Sequence, residues 1–384
     1  MLRFSLLMLA GDRAKFLALV MGLMFASLLM TQQLSIFCGL MWRTFAFLDD
    51  TPQPELWIMD PAARFPDAGI SLPETAITTV RGVEGIAWAL PMFKRVLPLR
   101  LPDGEPETAS VVGIDAATFL GGPSVMLEGN LEDLRRPDSV IIDEYGANVL
   151  LATKLPDGTL RPLRVGDVLE INDRRAEIVG ICRLSRNFED FPVLYTTYER
   201  ALLYSPPERR LLSFVIAGLE SGASASVVAE RIREQTGYKA LTGDEFKTST
   251  FWYIAEETGI PINFGITVSL GFIVGLSIAA QTFYTFTRDN IRQFAALKAM
   301  GAKPLSLVLM VLVQALSVGV IGLGLGVGIA TFFGWLTGNG DPPFLLLPPV
   351  LWVTSLGILA TILLSALLSI IPVLRLDPAT VFRT

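Results

Sequence analysis

The chain has 384 residues, of which 51% are hydrophobic and 18% charged, and its mean hydropathy is +0.51. This composition argues against an ordinary soluble enzyme. The absence of histidine excludes Ser-His-Asp and Cys-His nucleophile systems and HExxH zinc sites. Two cysteines are too few for a disulfide framework or a four-ligand zinc site, and a formal net charge of −6 argues against nucleic acid as a partner.

Four uncharged segments dominate the hydropathy pattern. Each exceeds the about 20 helical residues that are needed to cross a hydrocarbon core of roughly 30 Å. We therefore predict four transmembrane helices, at residues 16–42, 258–287, 304–339 and 345–374. Residues 1–15 contain a short apolar stretch that is interrupted by charges, which favours an interfacial helix over a cleavable signal.

Basic residues flank these segments unevenly, and this predicts the orientation. Net positive charge lies before the first segment, between the second and third, and after the fourth, whereas residues 43–257 carry a net charge of −11. Positive flanks belong in the cytoplasm. We expect cytoplasmic termini, a cytoplasmic segment at 288–303, a cytoplasmic tail at 375–384, a short outer loop at 340–344 and an extracytoplasmic domain at 43–257.

The segment 43–257 alternates strand and helix signals. This mixture predicts an α+β domain, which we expect to have two lobes with a boundary near residues 156–164. Predicted strands lie at 55–60, 86–101, 111–114, 139–142, 167–171, 176–182, 192–196 and 212–217, and predicted helices at 73–81, 197–204 and 225–236.

No catalytic set is evident in this domain. Its acidic residues are dispersed, and the adjacent pairs Asp49-Asp50 and Glu256-Glu257 are typical of a solvated surface near a membrane. Cys182 ends a predicted strand and is interpreted as a small buried apolar residue. A membrane-anchored enzyme is therefore disfavoured, because acid–base chemistry so often uses histidine.

The segment RDNIRQFAALKAMGA, at 288–302, predicts a short amphipathic helix between the second and third crossings. Gly301 is placed to end it, and Lys298 complements the helix dipole. Such a helix can lie on the membrane surface or insert into a groove of a partner, and the residues alone favour neither. Its apolar residues are Ile291, Phe294, Leu297 and Met300, and its basic residues are Arg288, Arg292 and Lys298.

Glycine spacing in the crossings predicts close helix packing. Gly271 and Gly275 form one small-xxx-small pair, and Gly322 and Gly326 form another. Such pairs let backbones approach closely, either within the chain or between two copies of it. No charged residue lies within a crossing, which disfavours an ion-coupled transporter.

Several segments resemble the FtsX/MacB-type permeases of ATP-binding-cassette (ABC) systems. ALKAMGAKPLSLVLMVLVQA resembles the segment after the second crossing of these proteins, and the tail IPVLRLDPATVF, with Asp377, Pro378 and Ala379, resembles their basic end. The layout of four crossings with one large outer domain is also similar. FWYIAEETGIPINFGITVSLGFIVG resembles the DevC-like branch, the permeases of cyanobacterial-type exporters.

The resemblance implies an α-helical inner-membrane protein with a MacB-type periplasmic core domain between its first two crossings. It further implies a non-catalytic homodimer, embedded in membrane lipid, that exports a lipid, glycolipid or other amphipathic cargo with an adaptor protein and an outer-membrane channel. No cofactor is expected, because ATP would bind to a separate cytoplasmic ABC ATPase. An FtsX-like mechanotransmitter that activates a periplasmic cell-wall hydrolase is the alternative.

By the same resemblance, the cytoplasmic helix is the coupling helix that docks on the ATPase. Many family members have an acidic residue where this chain has Gln293, so hydrophobic docking through Phe294, Leu297 and Met300 is expected to contribute more. The coupling residues implied are Arg288, Ile291, Arg292, Gln293, Phe294, Leu297, Lys298, Met300 and Gly301.

Overall fold

Two units make up the chain in the computed structural model, which describes residues 8–9, 11–66, 68–154, 159–206, 212–338 and 340–374. Met41–Thr258 forms one unit, hereafter the α+β domain. Met1–Leu40 and Gly259–Thr384 form the other, hereafter the helical bundle. The predicted tail at 375–384 and most of the predicted interfacial helix at 1–15 lie outside the described residues.

Four helices of the described chain are long and apolar enough to cross a membrane, with mean hydropathies from 1.9 to 2.4. The predicted fold class, four such helices with one large mixed domain, is confirmed. A shorter helix lies between the second and third of them. The helices are α1 (Arg13–Arg43), α7 (Ile260–Asp289), α8 (Ile291–Ala299), α9 (Pro304–Thr337) and α10 (Pro348–Leu374).

Proline and glycine set the ends of these helices. Proline occupies the first turn of both α7 and α9, where a missing N–H costs no hydrogen bond. Gly259 precedes α7 with a φ of 66°, a left-handed conformation that residues with a Cβ rarely adopt. This glycine ends the continuous helical path from the α+β domain, so α7 starts as a separate helix.

Strands and short helices alternate in the α+β domain. Its strands are β1 (Leu56–Met59), β2 (Ile86–Arg100), β3 (Pro106–Ile114), β4 (Met126–Glu128), β5 (Ser139–Asp143), β6 (Thr153–Lys154), β7 (Leu160–Arg161), β8 (Val168–Ile171), β9 (Arg174–Cys182), β10 (Val193–Thr197), β11 (Phe214–Leu219) and β12 (Lys239–Thr242). Its helices are α2 (Ala46–Asp50), α3 (Thr75–Arg81), α4 (Tyr198–Tyr204), α5 (Ala225–Thr236) and α6 (Gly243–Glu257), with a 3-10 turn at Leu131–Arg135 and a π turn at Gly146–Leu150.

Ten of the strands form one sheet in the order β12-β1-β11-β2-β3-β10-β5-β9-β4, and β8 pairs with β2 and β9. Most neighbours are antiparallel, but β3–β10 and β5–β9 are parallel. The 15-residue strand β2 pairs with β11 through its first half and with β3 through its second. Because β2 runs through both halves of the sheet, it joins them, and the expectation of two lobes stays a prediction. The predicted boundary overlaps residues 155–158, which lie outside the described residues.

Aromatic side chains fill one of the two apolar clusters of the domain. Trp57 packs edge-on against Phe214, with ring centroids 5.8 Å apart, and Phe246 is buried beside both rings. Cys182 lies in the same cluster and is fully buried, as predicted. Burial raises the pKa of its thiol, so the thiolate that metal binding or nucleophilic attack would need is disfavoured.

A buried carboxylate links three segments of this domain through hydrogen bonds. Asp143, at the end of β5, accepts hydrogen bonds from the backbone N–H of Gly146 at 2.7 Å and of Val193 at 2.6 Å. Burial raises the pKa of Asp143, and these two donors offset only part of the cost of holding the charged form.

We expect Asp143→Ala to lower the free energy of unfolding by about 2–4 kcal/mol, because two N–H groups would lose their acceptor. Asp103→Ala is the control, since that carboxylate accepts only an exposed N–H bond of 3.2 Å from Glu105. Thermal unfolding of the full-length protein, followed by tryptophan fluorescence, measures both. Equal shifts of the unfolding midpoint in the two variants would contradict the stabilising role of Asp143.

Candidate functional site

The short helix α8 is the candidate coupling element, and its C-terminus is built as the sequence predicts. The N–H of Ala302 donates to the carbonyl of Leu297 at 3.0 Å, and that of Gly301 to the carbonyl of Lys298 at 3.1 Å. This pair of bonds is a Schellman motif, and the φ of 91° at Gly301 is the left-handed conformation that it requires. Arg288 is placed differently from the prediction, because it lies in the last turn of α7 rather than on α8.

The apolar side chains of α8 do not all point the same way. Phe294 and Ala295 are 0% and 1% exposed, and Phe294 belongs to the apolar cluster of the helical bundle. Leu297 packs against the same cluster and is partly buried. Met300, in contrast, is 75% exposed at the helix end.

The expectation that Phe294 docks on a partner stays a prediction, but its side chain is not part of the exposed surface of α8 in this structure. Its ring is enclosed by its own bundle, where it anchors α8. The exposed surface of the segment consists of Arg292, Gln293, Ala299, Met300 and Gly301, while Ile291 and Lys298 are half-buried. We call Arg292, Gln293 and Met300 the exposed face of α8.

An ionic contact, which the sequence analysis did not anticipate, joins two helices near this segment. The Nζ atom of Lys15 lies 2.7 Å from Asp12 and 2.6 Å from Asp289, so it bridges the start of α1 and the end of α7. A signal for this contact is present in the sequence. The two helix ends carry opposite charges, and the predicted topology places both ends on the same side of the membrane.

The four predicted packing glycines all face α1 of the same chain. A Cβ added at Gly271 would lie 3.3 Å from Cβ of Leu29, and one added at Gly275 would overlap Ala26. A Cβ at Gly322 would lie 2.8 Å from Cβ of Leu23. In this structure, the glycines thus serve contacts within the chain, so a contact between two copies would need other residues.

Gly326 approaches backbone atoms of α1, which cannot move aside as a side chain can. An added Cβ would lie 2.5 Å from the carbonyl oxygen of Met24 and 2.6 Å from Cβ of Ser27. The Ser27 hydroxyl also donates to the carbonyl of Leu323 at 3.2 Å. Close backbone approach and an interhelical hydrogen bond both stabilise helix association where water does not drive it.

Hydrogen bonds from buried hydroxyl groups link two further helix pairs of the bundle. Thr31 on α1 donates to Thr354 on α10 at 3.4 Å. Thr287 on α7 is hydrogen-bonded to Ser369 on α10, whose hydroxyl also donates to the carbonyl of Phe283 at 3.0 Å. These buried hydroxyls, with the glycine contacts, place α1 and α10 at the centre of the bundle.

In the described part of the chain, no group of three or more Cys, Asp or Glu side chains is placed to bind a metal ion. The candidate site is a short helix, anchored from within and exposed at one end, between two long apolar helices.

Two family models match this chain. The model "MacB-like periplasmic core domain" matches residues 20–235, and "FtsX-like permease C-terminal" matches residues 247–378. The first alone spans more than half of the sequence. The chain belongs to the FtsX/MacB-like family of ABC permeases. Such permeases work with a cytoplasmic ABC ATPase and are generally non-catalytic.

Three solved structures are similar to about half of this chain. They are the extracellular domain of the noncanonic ABC-type transporter YknZ from Gram-positive bacteria (17% identity, 49% of this chain and 99% of that one, TM-score 0.35), the periplasmic region of MacB from Actinobacillus actinomycetemcomitans (15%, 53% and 96%, 0.37) and a domain of a putative permease protein from Porphyromonas gingivalis (16%, 49% and 87%, 0.30). A comparison with curated protein sequences gave no match.

Proposed function

We propose that this permease is the transmembrane subunit of an ATP-driven export complex of the bacterial inner membrane, and that α8 receives the movement of its ATPase. The observation that carries the proposal is the division of α8 into the buried anchor Phe294 and an exposed face that ends in Met300. A buried anchor makes the helix move with the bundle, while an exposed apolar residue offers a contact to a partner groove.

The contacts of the bundle support a path for this movement. α8 directly follows α7, and the Lys15–Asp289 contact of 2.6 Å joins the end of α7 to the start of α1. The α+β domain is the chain segment between α1 and α7. A displacement of α8 therefore reaches both helices that lead into that domain.

The wider assembly is part of the same proposal. It comprises a homodimer, a periplasmic adaptor protein, an outer-membrane channel and a cargo that is a lipid, glycolipid or other amphipathic molecule, as the resemblance to the DevC-like branch implies. Co-purification tests it: an adaptor would support export, whereas a cell-wall hydrolase would support the FtsX-like alternative.

Photocrosslinking tests the assignment of α8. We expect a photoreactive amino acid at position 300 to capture the ABC ATPase when the two are expressed together, because this side chain is 75% exposed at the end of α8. The matched control is position 352, whose tryptophan is 69% exposed on the membrane-spanning helix α10. Capture at 352 but not at 300 would contradict the proposal.

The proposed orientation puts both termini in the cytoplasm and the α+β domain in the periplasm, and cysteine labelling tests it. In intact spheroplasts, a membrane-impermeant maleimide should label Asp103→Cys, in an exposed turn, and should not label Gln293→Cys, on the exposed face of α8. Permeabilisation should make position 293 reactive. Labelling in the opposite order would overturn the orientation.

A further inference from the structure

A pocket of about 220 Å³ lies within the α+β domain. It opens between α2, the β2–β3–β10 part of the sheet, α6 and the segment that follows β9. Its walls are mainly aromatic or aliphatic, and the apolar residues that line it are Phe47, Phe65, Leu184, Phe188, Phe191, Val193, Tyr253 and Ile254.

Buried hydroxyl groups line the same pocket. Ser110 on β3 is 4% exposed, and its hydroxyl has no hydrogen-bond partner among the described residues. Tyr195 on β10 is fully buried, and its hydroxyl lies beside Thr51 without a hydrogen bond of normal geometry. A buried polar group without a hydrogen-bond partner destabilises the fold. Hydroxyls left in this state beside a cavity therefore point to a molecule that supplies the missing bonds.

The charged residues that line the pocket balance one another. Arg43 and Lys94 are basic, and Asp50 and Glu189 are acidic. Lys94 is 7% exposed, with its Nζ atom 4.9 Å from the centroid of the Phe47 ring. Asp50 accepts hydrogen bonds from the backbone N–H of Ser185 at 2.8 Å and from its hydroxyl at 3.0 Å.

This balance decides the charge of an occupant. The four side chains sum to no formal charge, so a charged ligand would leave a net charge in a largely apolar cavity. Burial of an uncompensated charge is far more costly than burial of a hydroxyl or carbonyl group that finds a hydrogen-bond partner. An uncharged molecule is favoured for this reason.

The volume of the pocket limits the size of its occupant. At roughly 30 Å³ for each water-sized group, the pocket holds about seven such groups. The occupant is thus a small amphiphile, or the end of a larger one. We propose that the pocket binds an uncharged aliphatic molecule or chain end with one hydroxyl or carbonyl group, which hydrogen-bonds to Ser110 while its apolar part contacts the aromatic walls. The pocket belongs to the α+β domain alone, so its occupancy requires no ATPase.

Photolabelling of the full-length protein in lipid nanodiscs tests this proposal. The probe is azi-octanol, an octanol that carries a photoactivatable diazirine. We expect peptides that contain β3 and the segment 184–195 to be labelled, and unlabelled octanol to compete. Octanoate and octylamine should compete at least about tenfold more weakly, the equivalent of about 1.4 kcal/mol. Equal competition by the charged compounds would overturn the inference about charge.

Two variants of Ser110 and one matched control make the site specific. Ser110→Leu fills the cavity and should abolish the labelling, whereas Ser110→Ala keeps the space and should weaken it several-fold. Thr108→Leu is the control, because Thr108 lies two residues earlier on β3 and is exposed. Unchanged labelling in Ser110→Leu, or equal loss in Thr108→Leu, would refute the site. If Ser110→Leu does not fold, Ser110→Ala decides, since full labelling without the hydroxyl contradicts its role.

Discussion

Replacing Gly326 with leucine should prevent the helical bundle from packing. Even a single Cβ at this position would lie 2.5 Å from the carbonyl oxygen of Met24 and 2.7 Å from the backbone nitrogen of Leu28. Backbone atoms in the middle of a helix cannot move aside as a flexible side chain can, so α1 and α9 would have to separate. We expect a loss of at least about 3 kcal/mol in the free energy of unfolding, at the upper end of the range for overpacking.

Gly328 provides the matched control on the same helix. A Cβ added there has no other atom within 4 Å, so Gly328→Leu should change stability by no more than about 0.5 kcal/mol. Unfolding in a titration of sodium dodecyl sulfate measures both variants, with size-exclusion chromatography as a check on monodispersity. Similar losses of stability in the two variants would mean that Gly326 has no special role in helix packing.

Met300→Asp should abolish most of the ATPase stimulation while leaving the bundle intact. Met300 is 75% exposed, so replacing its side chain should have little effect on the stability of the permease itself. In a complex, a carboxylate in place of an apolar contact would be desolvated without a partner. A cost of at least about 1.4 kcal/mol corresponds to a tenfold or larger loss of productive association, which the rate of ATP hydrolysis by the reconstituted complex would report.

The controls separate loss of docking from loss of folding. Met300→Leu keeps the apolar contact and should retain stimulation. Leu160→Asp introduces the same charge at a 56% exposed apolar residue of the α+β domain and should have no effect. Leu297 is less suitable, because it packs against the bundle and its replacement would also destabilise α8. Full stimulation with Met300→Asp would show that the exposed face of α8 is not the coupling surface.

The membrane-spanning helices could be predicted because the bilayer imposes a minimum length and excludes charge, and both requirements are visible in one segment at a time. Helix α6 was missed for the opposite reason, since it lacks a strong apolar periodicity. A usable signal was present: the Thr242 hydroxyl accepts a hydrogen bond from the N–H of Glu245, while the Glu245 carboxylate accepts one from the N–H of Thr242. This capping box marks the start of a helix in the sequence.

The direction of an apolar side chain is harder to predict than the helix that carries it. Phe294 and Met300 both follow the apolar pattern of α8, but only tertiary contacts decide that the first is enclosed and the second exposed. The pocket near Ser110 was unpredictable for a related reason. Its lining comes from separate segments of the α+β domain, and no single stretch of sequence contains enough of it to form a motif.

Helix α1 contacts all three of the other membrane-spanning helices. Ala26 meets Gly275 on α7, Ser27 donates to Leu323 on α9, and Thr31 donates to Thr354 on α10. A substitution in α1 therefore has to be compatible with contacts to three neighbouring helices at once. A substitution at an outward-facing position of α9 has to be compatible only with lipid. Across orthologues, α1 should accordingly evolve slowly, and its changes should covary with compensating changes in the three helices around it.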